Sequence, residues 1–396
     1  MTTDVRATPA AGYPAEVTAA NWQFPPHNRW GFCNCRRLLP TARVARSTTP
    51  HDFSRQPQAL DAVTVSVPAS AERKSLPEVL TENYIDGFIV LHGSRLVYER
   101  YFSELDVDRT HIVMSVSKSI LSALIGVLVD RGALEVAKPA GYYVPELARG
   151  GYGSVTLDRL LDMRSGVKYS ENYLEPAAEF FDFDAVCGLR PRSRPHLAAG
   201  MYEYLAALPG DPDDPGDFSY RSTDSDVLGW VTERSTGIPL EKLLSAELWA
   251  PLGCREDADL LVDPLGAPLA DGGLCSSLED LARFAEMQLR GGAFNGRQIV
   301  PERWIAESCS GDRAAYARNG YTALFPRGAY SRQWWIADTE RRVRLALGIH
   351  GQMVYLDPNL ELACVAMGSA PNPVNPRALA SMLRACAAIG AALSPA

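Results

Sequence analysis

Lysine is scarce in this chain. Only Lys74, Lys118, Lys138, Lys168 and Lys242 stand among 39 basic residues, and the rest are arginine. A guanidinium keeps its proton at any useful pH, whereas an amine stripped of water can lose it, so each lysine bears on the chemistry. Long hydrophobic runs are missing too. None reaches the roughly 18 apolar residues of a membrane-spanning helix. The opening residues lack the apolar stretch of a signal peptide, so no secretory leader is expected. Positive charge is in deficit: a net charge of −8 and a pI of about 5.4 argue against nucleic acid or a membrane surface as partner. The cysteines do not cluster. Of eight, only Cys33 and Cys35 are close, and C-x-C lacks zinc-site spacing, so buried free thiols in a cytoplasmic protein are expected. There is no G-x-S-x-G elbow, no H-E-x-x-H, no P-loop and no G-x-G-x-x-G opening a helix. No metal or organic cofactor is therefore expected. A Ser-His-Asp triad stays open, because triads are not local in sequence.

What is there reads as a globular protein. Residues 1–75 are rich in Ala, Pro, Arg and Thr with little period, yet Trp22, Phe24, Trp30 and Phe32 need burial. An extended arm packed on the body satisfies both. DGFIVLHGSRLVYERYF (86–102) reads as a hairpin turning at His92-Gly93-Ser94. Strand patterns return at 332–338, 343–349, 352–357 and 360–368, and a last helix is expected over 376–393. Between them lie helical periods such as Leu278, Leu281, Ala282, Ala285 and Leu289. Ser276 with Glu279 predicts a capping box for that helix. The expected fold is α+β in three layers. Residues 76–132 and 301–396 build an antiparallel sheet flanked by helices, residues 133–300 form an inserted, mainly helical domain, and the active-site cleft lies between.

The run HIVMSVSKSILSALIGVLVDRG (111–132) poses the chemical question. Between Ile120 and Val129 only Ser122 is polar and only Gly126 is otherwise not apolar, so the helix is expected to be buried on nearly all sides. Lys118 enters its first turn three residues after Ser115, where i and i+3 share a face. Burial would lower the amine's pKa, and a neutral Lys118 could take the proton of Ser115 and make it a nucleophile. The N–H of Ser115, in the first turn, could face a developing oxyanion. A lysine that snorkels to water from an ordinary turn fits the same four residues. S-x-x-K also occurs at Ser165-Gly-Val-Lys168, where an internal glycine and the absence of a following apolar helix read as a loop.

More of the chain joins the first pattern. SVSK (115–118) is followed by Tyr220-Arg221-Ser222 within DFSYRSTDSDVLGW and by Gly348 on a C-terminal strand. VTLDRLLDMRSGV (155–167) and GGLCSSLEDLARF (272–284) lie between them. In this order the segments resemble the serine β-lactamases, penicillin-binding proteins and their carboxylesterase relatives, which carry S-x-x-K, then Y-x-N, then K-[ST]-G. PPHNRW (25–30), MSVSKS (114–119), ENYLEPAAE (171–179), RQWW (332–335) and GIHGQ (348–352) resemble, within that superfamily, the 6-aminohexanoate-dimer hydrolases, which degrade nylon oligomers.

The resemblance implies a serine β-lactamase-like fold and a homodimer. It implies Ser115 as nucleophile, Lys118 and Tyr220 as the proton-handling pair, and the N–H groups of Ser115 and Ile349 as the oxyanion hole. Tyr173 would assist a leaving amine, Trp335 would wall the pocket, Asp184 would hold a substrate ammonium, and Asp271 would stand where relatives carry Asn or His. Each has a plainer reading. Tyr173 and Trp335 equally serve as core or rim aromatics, Asp184 as a helix cap, and Asp271 as a turn residue before Gly272-Gly273. His350 reads as held by packing. The third motif departs from the pattern: Ala346-Leu347-Gly348 lacks the cation and hydroxyl, and Ser222 replaces the second motif's Asn. The expected activity is hydrolysis of a small-molecule amide or ester through an acyl-enzyme: short-chain esters and the linear 6-aminohexanoate dimer. A β-lactamase or D-amino-acid peptidase, or a non-catalytic binding protein of the same fold, are the alternatives.

Overall fold

The computed structural model describes residue 14 and residues 16–394, except 193 and 215. The first thirteen residues of the expected arm, and with them most of the segment bearing on a leader, lie outside the described residues.

An eight-stranded sheet forms the body, in the order Ala329–Ser331, Trp334–Asp338, Val343–Gly348, Gln352–Asp357, Leu362–Gly368, Ile85–His92, Arg95–Tyr101 and Ser54–Arg55. Neighbours are antiparallel except the last pair. The two ends of the chain meet where Leu362–Gly368 pairs with Ile85–His92, with Cys364 opposite Val90. The expected hairpin is present, turning at Gly93-Ser94.

Side chains alternate across a strand, and here each face has its own core. Ile89, Leu91, Val354, Leu356, Ala363 and Val365 join the core of the Val116–Asp130 and Leu278–Leu289 helices. Phe88, Val90, Met353, Tyr355 and Cys364 join Met382, Ala385, Cys386 and Ile389 of the Pro376–Leu393 helix. A sheet sandwiched this way explains why Phe88–Leu91 is apolar at every position rather than at every second one. The capping of Leu278–Leu289 is shifted by one residue from expectation: the Ser277 side chain accepts from the Asp280 N–H, while Ser276 lies in the strand before it.

The segment 133–300 supplies helices and also four short strands, of which Ala293–Phe294 and Arg297–Gln298 pair with each other. Ala258–Leu261 and Leu274–Ser276 pair in a small sheet with Thr41–Val44 of the arm and with His111–Ile112. His111–Ile112 leads directly to Ser115, and the Val113 N–H donates to the Leu274 carbonyl at 2.9 Å. The arm residues Asn28–Phe32 and Cys35–Leu38 are short helices.

The helix Val116–Asp130 is buried from Val116 through Leu128. Its two interruptions have one cause. Ser122 and Gly126 are four residues apart, so both face the Trp304 indole. Its Nε1–H donates to Ser122 Oγ at 3.3 Å, and a Cβ on Gly126 would stand 2.6 Å from the ring. All eight cysteines are free and buried. Among the described residues no helix is long and apolar enough to cross a membrane.

Candidate active site

Ser115 is the N-cap of the buried helix, half-buried at its mouth. The residue before it, Met114, has φ +48, a left-handed conformation that a non-glycine residue adopts only at a cost and that is common at functional turns. The helix places Lys118 one turn on. Its Nζ donates to Ser115 Oγ at 2.8 Å, to Ser222 Oγ at 2.9 Å and to the Asp271 carbonyl at 2.9 Å. An ammonium has three donors, and all three are used here. Ser222 opens the helix Ser222–Thr236 and donates its own proton to Glu171 Oε1 at 2.8 Å, so it accepts from Lys118.

This corrects the neutral amine expected from burial alone. Desolvation does press the Lys118 pKa down. Tyr220 once ionised, with Asp271, Glu171 and Asp226, outweighs it, and the net shift is upward. The greasy helix by itself carries no sign of the acids that other segments bring to it. Lys118 is an ammonium.

Tyr220 sits beside it. The Lys118 Nζ is 5.2 Å from the Tyr220 ring centre, and the ring stacks on Trp335 at 5.4 Å. Burial pushes the Tyr220 phenol up to about 12, with Lys118 opposing and Glu171 adding. The phenol is protonated at rest, and its anion has a cation waiting. Trp335 is buried among Tyr220, Tyr321, Tyr330 and Phe218, a packed wall.

Glu171 is the residue that sequence reasoning missed. It accepts from the Ser222 N–H at 2.5 Å, from Ser222 Oγ, and from the Tyr173 hydroxyl at 2.5 Å. Burial raises its pKa, with Lys118, Tyr173 and Ser222 opposing. Tyr173 is thus tied through Glu171 and Ser222 to Lys118. No local period marks it: Glu171 and Tyr173 lie in a stretch without helix or strand that runs into a turn at 172–175. Asp226 was missed as well. It shares a helix face with Ser222, four residues away, and its Oδ1 accepts from the Asp271 N–H at 3.1 Å, so it anchors the turn whose carbonyl meets Lys118.

The other predicted residues stand as follows. Asp271 also brings its carboxylate to 3.7 Å from the Lys118 Nζ. Asp184 is buried and carries a resident partner: Arg190 reaches Oδ2 with Nε at 3.0 Å and Nη2 at 2.8 Å. Burial lifts the Asp184 carboxyl to about 7, Arg190 opposes, and Asp271 and Glu171 add to the rise. Ile349 follows Gly348 at the end of its strand. A Cβ on Gly348 would stand 2.8 Å from the Val113 carbonyl, so this strand end lies against the chain just before Ser115. His350 turns left-handed at φ +65 and shares its Nδ1 proton with the Ala370 carbonyl at 2.6 Å. Burial holds its pKa down to about 4, as a packed, neutral imidazole. The second S-x-x-K is a loop: Gly166 has φ +68 and Lys168 is exposed. Among the described residues no cluster of three His, Cys, Asp or Glu side chains gathers to hold a metal ion.

Residues 85–389 match the family model described as Beta-lactamase. The chain belongs to the beta-lactamase family. It is 39% identical over 365 residues to the 6-aminohexanoate-dimer hydrolase of Paenarthrobacter ureafaciens, covering 92% of this chain and 90% of that protein. It is 33% identical over 174 residues to Esterase EstB of Burkholderia gladioli, covering 42% and 43% of the two chains. A solved structure described as a candidate 6-aminohexanoate-dimer hydrolase from Bacillus anthracis superposes with a TM-score of 0.88 at 26% identity, covering 98% of this chain and 99% of that one. The α+β, serine β-lactamase-like fold expected from the motifs is the fold of this family, and the expectation of a serine hydrolase of amide or ester bonds stands with it.

Proposed function

We propose that the chain hydrolyses short-chain esters and the linear 6-aminohexanoate dimer through an acyl-enzyme on Ser115. One observation carries the reading: the buried Lys118 Nζ donates to Ser115 Oγ at 2.8 Å and lies 5.2 Å from the centre of the Tyr220 ring. The reacting form is the one in which Tyr220 has released its phenol proton to solvent and is held as the anion by Lys118; Ser115 Oγ attacks the carbonyl carbon while its proton passes to that anion, which becomes the phenol. The oxygen of the tetrahedral intermediate is met by the N–H groups of Ser115 and Ile349. Tyr220 then gives the proton to the leaving oxygen or nitrogen. Tyr173, kept in place by Glu171, faces a leaving amine. Water repeats the sequence on the acyl-enzyme.

The 39% identity to a dimer hydrolase along nearly the whole chain supports the substrate class. Asp184 and Asp271 supply carboxylate near a cationic substrate end, Asp184 in shared use with Arg190, and Trp335 walls the acyl group. The missing cation at Ala346-Leu347-Gly348 supports uncharged acyl groups over a β-lactam carboxylate. A cytoplasmic homodimer belongs to the same proposal, and eight buried thiols without a disulfide support a reducing compartment.

Intact-mass measurement after mixing with p-nitrophenyl acetate tests it. The expected result is one acetyl adduct and a burst of nitrophenol, both abolished in Ser115→Ala. An unchanged burst in that variant rejects the site. Asp184→Asn is expected to lower dimer hydrolysis more than ester hydrolysis, and equal losses remove its role toward substrate.

A further inference from the structure

PPHNRW (25–30) is among the most specific motifs in the chain, and the proposed chemistry leaves it unused. The structure shows what it touches. Asn28 is buried, and its Nδ2 donates to the Ser369 carbonyl at 2.8 Å and to the Ala370 carbonyl at 3.3 Å. Ala370 is the residue that grips His350: its carbonyl takes the Nδ1 contact, and its N–H donates to the His350 carbonyl at 3.0 Å. The peptide after Ile349 is held at both ends. Its N–H, on His350, donates to the Pro373 carbonyl at 2.9 Å, and the Ile349 carbonyl accepts from Gln352 Nε2 at 3.3 Å. Asn28 therefore grips the strand extension that grips the Ile349 turn.

The same segment reaches the other half of the site. The Phe32 ring meets the His350 imidazole edge-on at 5.1 Å and the His111 imidazole at 5.7 Å. His111 begins the strand that runs into Ser115. Arg29 and His111 share the buried Asp86, with Arg29 Nε 2.8 Å from Oδ1 and His111 Nε2 3.4 Å from Oδ2. One short stretch of the arm thus touches both the approach to Ser115 and the Ile349 turn. Both turns are strained, at Met114 and His350, and such conformations persist only where the surroundings over-determine them.

We propose that residues Asn28–Phe32 are a positioning brace for the oxyanion hole: they fix the separation of the Ser115 and Ile349 N–H groups. The brace rests on the reading of those two groups as oxyanion donors. None of its side chains needs to touch substrate. Its effect belongs to the transition state, because an oxyanion site loses its advantage when its donors are displaced by a fraction of an ångström.

The test uses Phe32→Leu and Asn28→Ser in the full-length chain, with thermal melting to establish that each is folded. Substrates are p-nitrophenyl acetate and its thionoacetate, whose larger, weakly accepting sulfur fits an oxyanion hole poorly. In each folded variant kcat for the oxygen ester is expected to fall about tenfold, with KM within about twofold. The oxygen-to-sulfur rate ratio should shrink by a similar factor, and the pH profile should stay in place because Lys118 and Tyr220 are untouched. A fold-only role would not change the ratio. If one variant does not fold, the other carries the test. A folded variant with wild-type kcat and ratio, or with lower kcat and an unchanged ratio, overturns the brace. A ratio near one in the wild-type enzyme overturns the oxyanion reading itself, and the brace with it.

Discussion

Ser115-Val-Ser-Lys118 and Ser165-Gly-Val-Lys168 share a four-residue pattern and little else. In the first, helix geometry brings the amine to 2.8 Å from the hydroxyl, and two more acceptors complete its shell. In the second, Gly166 breaks the helix at φ +68, Lys168 is exposed, and Ser165 serves the buried Asp224 carboxylate instead. The pattern is therefore not the chemistry. What separates the two is burial together with partners, and partners decide the sign. A buried amine alone would be neutral; Lys118, beside Tyr220, Asp271, Glu171 and Asp226, has its pKa raised instead.

The comparison can be broken where the expected effect is largest. Ser115→Ala should lower kcat/KM by at least about 10³-fold, while Ser165→Ala should change it by less than about threefold and only destabilise the fold. Comparable losses in steady-state ester assays would erase the distinction. Next come the lysines. Lys118→Met should lower kcat by roughly 10²-fold or more, because the Tyr220 anion loses its cation. Lys168→Met should leave kcat unchanged and stability within about 0.5 kcal/mol.

Asp184 sharpens the rule about partners, since it has one where Lys118 has several. Burial wins there, and the folded pKa is raised to about 7, well above the ordinary range of a carboxyl. A raised carboxyl contributes stability in full below the unfolded value, and loses it as pH climbs through the folded one. Wild-type stability should therefore lose on the order of a few kcal/mol from this group between pH 4 and 7. Asp184→Asn should flatten that part of the curve in urea titrations at several pH values; an unchanged slope would contradict the assignment. The smallest effects concern the two glycines. Gly126→Ala drives a methyl into the Trp304 ring and should cost about 1–3 kcal/mol, whereas Gly166→Ala, strained by its positive φ and not by space, should cost about 1 kcal/mol. Chemical denaturation midpoints measure both.

Much of this was legible because it is local. The hairpin, the last four strands, the final helix and the buried helix all announce themselves by periodicity, and the observed bounds lie within a residue or two of the expected ones. The strands Ala258–Leu261 and Leu274–Ser276 were not read, since each is four residues or shorter and lies in a segment dominated by helical periods. In the site, Ser115 and Lys118 were paired by spacing, and Tyr220, Ile349 and Asp271 by resemblance. Glu171 and Asp226 were passed over because a lone acid carries no pattern until a fold gives it neighbours. Arg190 was passed over for the same reason, and it changes what Asp184 has free to offer.

By itself, the order of residues determined which stretches could be buried and put a hydroxyl and an amine on one helix face, because both follow from a period of 3.6 and from apolar content. Only the tertiary structure decided the charge on that amine. That charge depends on Tyr220 and on the acids at 271, 171 and 226, brought from other segments, and electrostatic energy depends on distance in space and not along the chain.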